Sequence, residues 1–237
     1  NTLTIESLSG ERDVRIEHDS YTSSGYSDDQ YSKVYGVVTL YEASHVTLRN
    51  LEITTTDLQY DAVVMVKNES RHVTIDNCYI HAPISTNIQQ DINLVGHYVA
   101  DKDGSDYRYN TNNDYLTVKN SLIEGGYIGV SMGGTSIVNP DLPKEVGGII
   151  EGNTFRNNGT KSIYVMDELG AKIRNNTVII DADAETKISV GILDMQLRNE
   201  YDEPFEITGN TFNVAPKTYA AVMNLRQLEG TADAPVL

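Results

Sequence analysis

Residues 97 to 115, HYVADKDGSDYRYNTNNDY, concentrate the residue types from which a binding site could be assembled. Asp101, Asp103 and Asp106 surround the turn-forming Gly104, a spacing like the opening of a calcium-binding loop, and calcium is the ion such hard oxygen donors would hold. No closing bidentate acid or flanking helices follow as in an EF-hand, so a solvated acidic turn fits the same residues. Four tyrosines, Tyr98, Tyr107, Tyr109 and Tyr115, lie in the same stretch, with His97 at its start. Clustered tyrosines either present an apolar ring face on which a sugar stacks or pack a long loop onto the body of the protein. The remaining histidines, His18, His45, His72 and His81, are scattered. His45 and His72 both precede Val-Thr, so they are expected to stack in a turn rather than to ligate a metal.

Charge narrows the partners. There are 34 acidic against 18 basic residues, a formal net charge of -16, so nucleic acid and anionic membranes are repelled. No apolar run approaches the roughly 20 residues of a membrane span, and the first residues lack a signal-peptide pattern. The single cysteine, Cys78, excludes an intrachain disulfide and any multi-cysteine zinc site. Three N-x-S/T sequons, at Asn68, Asn158 and Asn175, are expected by chance in so asparagine-rich a chain.

The elements that must carry these residues repeat. A six-residue frame recurs as VTLRNLEI, VTIDNCYI, VKNSLI, IEGNTF, IRNNTV and ITGNTF, starting at 16, 48, 75, 118, 150, 173 and 207 when the stretch from Ile16 is included. Position one is Ile16, Leu48, Ile75, Val118, Ile150, Ile173 and Ile207, and position six is Tyr21, Ile53, Ile80, Ile123, Phe155, Val178 and Phe212, all read as inward anchors. Position three is His18, Asn50, Asn77, Asn120, Gly152, Asn175 and Gly209, residues that tolerate a left-handed backbone, so a one-residue corner is expected there. Arg49, Asp76 and Lys119 then point outward. Between frames come runs rich in branched residues: VVTL, AVVMV, IGVSM, SIYVM, VGILDM and AAVMNL. Three short strands per turn and no helical period describe a solenoid, in one domain spanning residues 1 to 237 with an inserted loop at 97 to 115.

These frames resemble the repeats of right-handed parallel β-helix proteins, the pectate-lyase-like superfold. The resemblance covers the chain from about residue 3 onward and implies an all-β solenoid of seven to eight coils, on the order of 35 Å long at about 4.8 Å per coil. It also implies an asparagine ladder at position four, where Asn153, Asn176 and Asn210 would point inward beside the corner. Leu51, Cys78 and Ser121 fill that slot in earlier coils, making Cys78 a buried core residue. The strand-like TLTIESL at the start and APVL at the end carry no polar caps, so the chain is expected to be a segment of a longer protein with further domains.

In that superfold, function is expected on the outer face of one sheet and its adjoining loops. Taking the apolar members of the branched runs as inward leaves Asn93, His97, Ser131, Tyr164, Asp194 and Asn224 outward, a row whose hydroxyls, amides and ring suit a polysaccharide. An ordinary solvated sheet face accounts for the same residues. The motifs of polygalacturonases are missing, and Gln90-Asp91 alone does not make a pectin methylesterase. Lyases of the superfold use Arg or Lys as base, with calcium neutralising the uronate, and Lys161, Arg198 and Arg226 are the cations near the branched strands. Two expectations result: an exported or cell-surface β-helix that binds or cleaves a polysaccharide, and a non-catalytic stalk or adhesin segment.

Overall fold

The computed structural model of the chain describes residues 2–19, 36–58, 62–67, 69–87, 92–98, 113–133, 145–166, 168–187, 191–198, 205–215 and 221–229, with backbone alone at 97, 98, 191, 196–198, 221 and 226–229. The backbone winds through three parallel sheets of seven strands each, one strand per sheet per coil. The first sheet runs through Leu3–Glu6, Val46–Arg49, Thr74–Asp76, Thr117–Lys119, Ile149–Glu151, Lys172–Arg174 and Glu206–Thr208. The second runs through Val14–Glu17, Leu51–Thr54, Tyr79–Ile84, Leu122–Gly126, Thr154–Arg156, Thr177–Ile180 and Thr211–Val214. The third holds the branched runs, Gly36–Tyr41, Ala62–Lys67, Asn93–Tyr98, Ile128–Gly133, Lys161–Met166, Gly191–Arg198 and Ala221–Glu229. The described residues contain no helix, and so none long and apolar enough to cross a membrane.

The repeating frame explains the coil. Leu48, Ile75, Val118, Ile150 and Ile173 pair in one register row, and Ile53, Ile80, Ile123, Phe155 and Val178 in another, all at most 1 % exposed. Alternation puts these two rows on the same side of the chain only if the backbone turns sharply between them. Asn50, Asn77, Asn120 and Asn175 supply the turn with φ of 51 to 55°, and Gly152 and Gly209 with 65°. The corners lie one above another: Asn50 N–H donates to Asp76 O (3.2 Å), and Asn77 Nδ2 donates to Asn50 Oδ1 (2.9 Å).

Beside the corner the expected ladder is present. Asn153 Nδ2 donates to Asn176 Oδ1 (3.0 Å) and to Val118 O (2.8 Å), and Asn176 Nδ2 donates to Asn210 Oδ1 (2.9 Å) and to Ile150 O (2.9 Å). Each Oδ1 also accepts a backbone N–H from the preceding coil, so the chain's buried polar groups are satisfied at the bend. Ser121 continues the ladder by accepting Cys78 N–H (3.0 Å). Cys78 itself is fully buried, and burial pushes its thiol up.

The first coil departs from the expected frame. Ile16 pairs with Ile53, at position six, whereas position one of that coil is Ile5, opposite Leu48. The one-residue corner is replaced there by residues 7 to 13, in which Ser7 bonds Ser9 and Asp13. His18 is therefore no corner; its carbonyl accepts the Thr55 hydroxyl (2.6 Å). Arg12 in this loop reaches over the corner stack, donating to Asn77 O (2.9 Å), Asn77 Oδ1 (2.8 Å) and Asn120 O (3.1 Å). Leu3, Ile5 and Val14 in the same coil are exposed.

A second left-handed ladder leads into the first sheet. His45, His72 and Tyr115 have φ of 60, 56 and 62°, and their rings stack at 4.7 and 4.6 Å between centroids. The stacking expected of His45 and His72 is thus present, extended by Tyr115. Two residues before His72, Tyr115 and the left-handed Gly147, Ser70, Asn113 and Glu145 are buried and chain together, Ser70 N–H to Asn113 Oδ1 (2.9 Å) and Asn113 N–H to Glu145 Oε1 (3.0 Å). Glu168, registered against Glu145, accepts Gly148 N–H (2.5 Å).

Candidate functional site

The outer face of the third sheet gathers half of the residues singled out for sugar binding. Ser131 pairs with Tyr164, Tyr164 with Asp194 and Asp194 with Asn224, so four successive coils contribute one side chain each to a single row. Parallel strands in register impose this: one inward or outward position repeats at every coil, about 4.8 Å apart. In the next coil toward the N-terminus the row passes through Gly96, and His97 pairs instead with Val66, one position along. Tyr98 pairs with Lys67. The tyrosines at 107 and 109 and the aspartates at 101, 103 and 106 lie outside the described residues, as does the Gln90-Asp91 pair. No group of three or more potential metal-ligating side chains occurs among the described residues.

Within the row the chemistry centres on Asp194. Its carboxylate is only 1 % exposed, with Lys161 Nζ 3.6 Å from Oδ2, while Asn224 Nδ2 donates to Oδ1 (2.6 Å). Lys161 Nζ also stands 4.8 Å from the Tyr164 ring centroid, a cation–π distance. A shielded carboxylate held on both oxygens orients its neighbours; it reaches a ligand through them. The groups left at the surface are the Ser131 hydroxyl, the half-buried Tyr164 ring and the Asn224 amide, beside the Lys161 ammonium. Lys161, one of the cations weighed as an elimination base, is thus tied to Asp194 and Tyr164, and Arg198 and Arg226 are described by backbone alone.

A second constellation was not singled out by sequence reasoning. On the outer face of the second sheet, Tyr79 and His81 stack at 4.2 Å between centroids, and Tyr79 Oη donates to Glu124 Oε2 (2.7 Å). His81 Nε2 lies 3.0 Å from Glu52 Oε1 and its Nδ1 3.1 Å from Thr54 Oγ1. Desolvation first, and the Glu124 carboxylate second, push the Tyr79 phenol up to about 12. At the rim Arg156 pairs with Asp181 (2.9 Å); hydrogen bonds from Asn157 and Arg156 hold the Asp181 carboxyl below its ordinary value. The signal was available: these residues occupy frame positions five and seven, on either side of the inward row Ile53, Ile80 and Ile123. The sequon at Asn158 is a core position, its Nδ2 donating to Gly125 O (2.9 Å), and Asn175 is a corner.

Three seven-stranded parallel sheets wound as one coil, with an internal asparagine ladder and polar rows outside, define a parallel β-helix protein. Residues 30–212 match the family described as right handed beta helix region. The chain belongs to that family. Neither a curated protein nor a solved structure matches it.

Proposed function

We propose that this chain is an exported or cell-surface β-helix that binds a polysaccharide along the outer face of its third sheet. The observation that carries this reading is the row Ser131, Tyr164, Asp194 and Asn224, one residue per coil. A linear glycan laid along the rod meets the Ser131 hydroxyl, the Tyr164 ring and the Asn224 amide, with the shielded Asp194 in the coil between the last two, at about 4.8 Å per coil, a spacing comparable to one sugar ring. Ser131, Asn224 and Lys161 offer hydrogen-bonding groups, and the exposed part of the Tyr164 ring offers an apolar surface. The net charge of -16 favours neutral glycans, with calcium needed to bring in a polyuronate.

Isothermal titration of the chain against neutral and acidic glycans, with and without calcium, tests this. At least one glycan is expected to bind, with Tyr164→Ala and Asn224→Ala each weakening it about tenfold, roughly 1.4 kcal/mol. Absence of binding across the panel would overturn the reading. Assays for new reducing ends and unsaturated uronides on the same samples decide whether binding leads to cleavage. A non-catalytic stalk is the second reading, favoured by ion pairs that tie the outer face of the first sheet, such as Arg174 to Glu151 (2.9 Å) and Arg49 to Asp76 (3.4 Å).

A further inference from the structure

The second sheet carries a cleft of about 420 Å³ whose wall is made by a break in the strand stack. The strand pairing between Tyr79–Ile84 and Leu122–Gly126 shifts register at Gly125/Gly126, next to Pro83. β-bulges of this kind bend a strand locally and are frequent beside functional sites. Gly125 has φ of 78°, and a Cβ there would collide with Ala82 O, so the wall requires glycine.

The floor is the stacked Tyr79–His81 pair, with Glu124 and Arg15 among the lining residues and Ile84 and Pro83 supplying apolar wall; Glu52, 3.0 Å from His81 Nε2 and 3.5 Å from Arg15 Nη1, backs the pair from outside the lining. Each carboxylate uses part of its acceptor capacity: Glu124 takes the Tyr79 hydroxyl and stands 3.9 Å from Arg156, and Glu52 takes His81 Nε2. An ionised carboxylate has about four lone-pair sites, so acceptor positions remain for hydroxyl donors. With its proton held up to about 12, Tyr79 keeps its hydroxyl directed at Glu124 and its ring neutral.

We propose that this cleft binds a single neutral sugar residue, at a site separate from the third-sheet row. Hydroxyls of a pyranose donate to Glu124, the carboxylate that lines the cleft, while its C–H face lies against the aromatic pair. A carboxylated ligand meets the Glu124 carboxylate of like sign, and an aliphatic one supplies no donors to that carboxylate's remaining acceptor positions. The volume falls within the range of small-molecule sites, about 300 to 1,000 Å³.

NMR titration of the full chain, reading the Tyr79 and His81 ring resonances, tests the proposal with methyl glucoside, methyl galactoside, N-acetylglucosamine and glucuronate as probes. At least one neutral sugar is expected to shift both rings, with Glu124→Gln weakening the effect about tenfold and glucuronate weaker than the neutral probes. Tyr79→Phe keeps the ring packing while releasing Glu124, and is expected to alter the affinity in a folded protein. Unmoved rings with every neutral sugar, a preference for glucuronate, or unchanged affinity in both variants would overturn it. The readout is local to the second sheet, so a failure of glycan binding on the third sheet leaves the outcome intact, and the reverse holds.

Discussion

At the scale of single residues, the bend is where the fold concentrates its polar demands. Asn153 satisfies Val118 O, Ser121 N–H and Asn176 at once, all buried. Asn153→Ala leaves at least two main-chain groups without partners inside the rod, at about 1 to 3 kcal/mol each. Urea unfolding should show a loss of that order, exceeding the effect of removing an exposed asparagine. Tyr79 supplies a pH signature. Its folded-state phenol ionises near 12 whereas the unfolded chain's ionises near its ordinary value of about 10, so the associated stability is complete below that lower value and is lost as pH rises between the two. The urea midpoint of the wild type is expected to fall across this window and that of Tyr79→Phe to fall less steeply; parallel curves would refute the assignment.

At the scale of elements, the unit is the strand, its corner and the next strand. Gly125→Ala tests the bulge: it adds a Cβ against Ala82 O in a left-handed conformation, and should lower thermal stability while disturbing the Tyr79 and His81 rings. A substitution that changed stability with no spectral change at those rings would argue that the cleft is not shaped by the bulge. The coil frame was legible because its corner admits so few residues: Asn or Gly stands between two branched or aromatic anchors in six consecutive coils, buried in five and partly buried at Ile207 and Phe212. The first coil misled because residues 7 to 13 replace the corner, and Arg-Ile-Glu-His imitates the start of a frame whose true anchor is Ile5. The ladder through Ser70, Asn113, Glu145 and Glu168 had no common residue type to betray it, since what repeats is an acceptor atom. Four members of the third-sheet row followed from alternation alone, while Asn93 and His97 fall off it because Gly96 holds the row position in their coil; the shielding of Asp194 was not legible, because it depends on Lys161 and Asn224 arriving from neighbouring coils. The cleft was overlooked because Thr54, His81 and Glu124 come from three coils and none stands out as a motif.

At the scale of the whole molecule, net charge and stacking govern behaviour. With 34 acidic and 18 basic residues, self-repulsion across the surface opposes compaction, while exposed ion pairs such as Arg15–Glu17 contribute little. Raising ionic strength from about 0.01 M to 0.15 M shortens the Debye length from roughly 30 to 8 Å, so the melting temperature is expected to rise by a few degrees. A fall on adding salt would mean that the ion pairs outweigh the repulsion. The hydrogen bonds between coils point along the rod, whereas the strands run across it. Tension applied between the two ends would therefore load one coil's bonds at a time, as in opening a zipper, and the rod would yield stepwise from its extremities. Shear directed across the coils would meet many bonds together, making the same protein mechanically soft in one direction and resistant in the other.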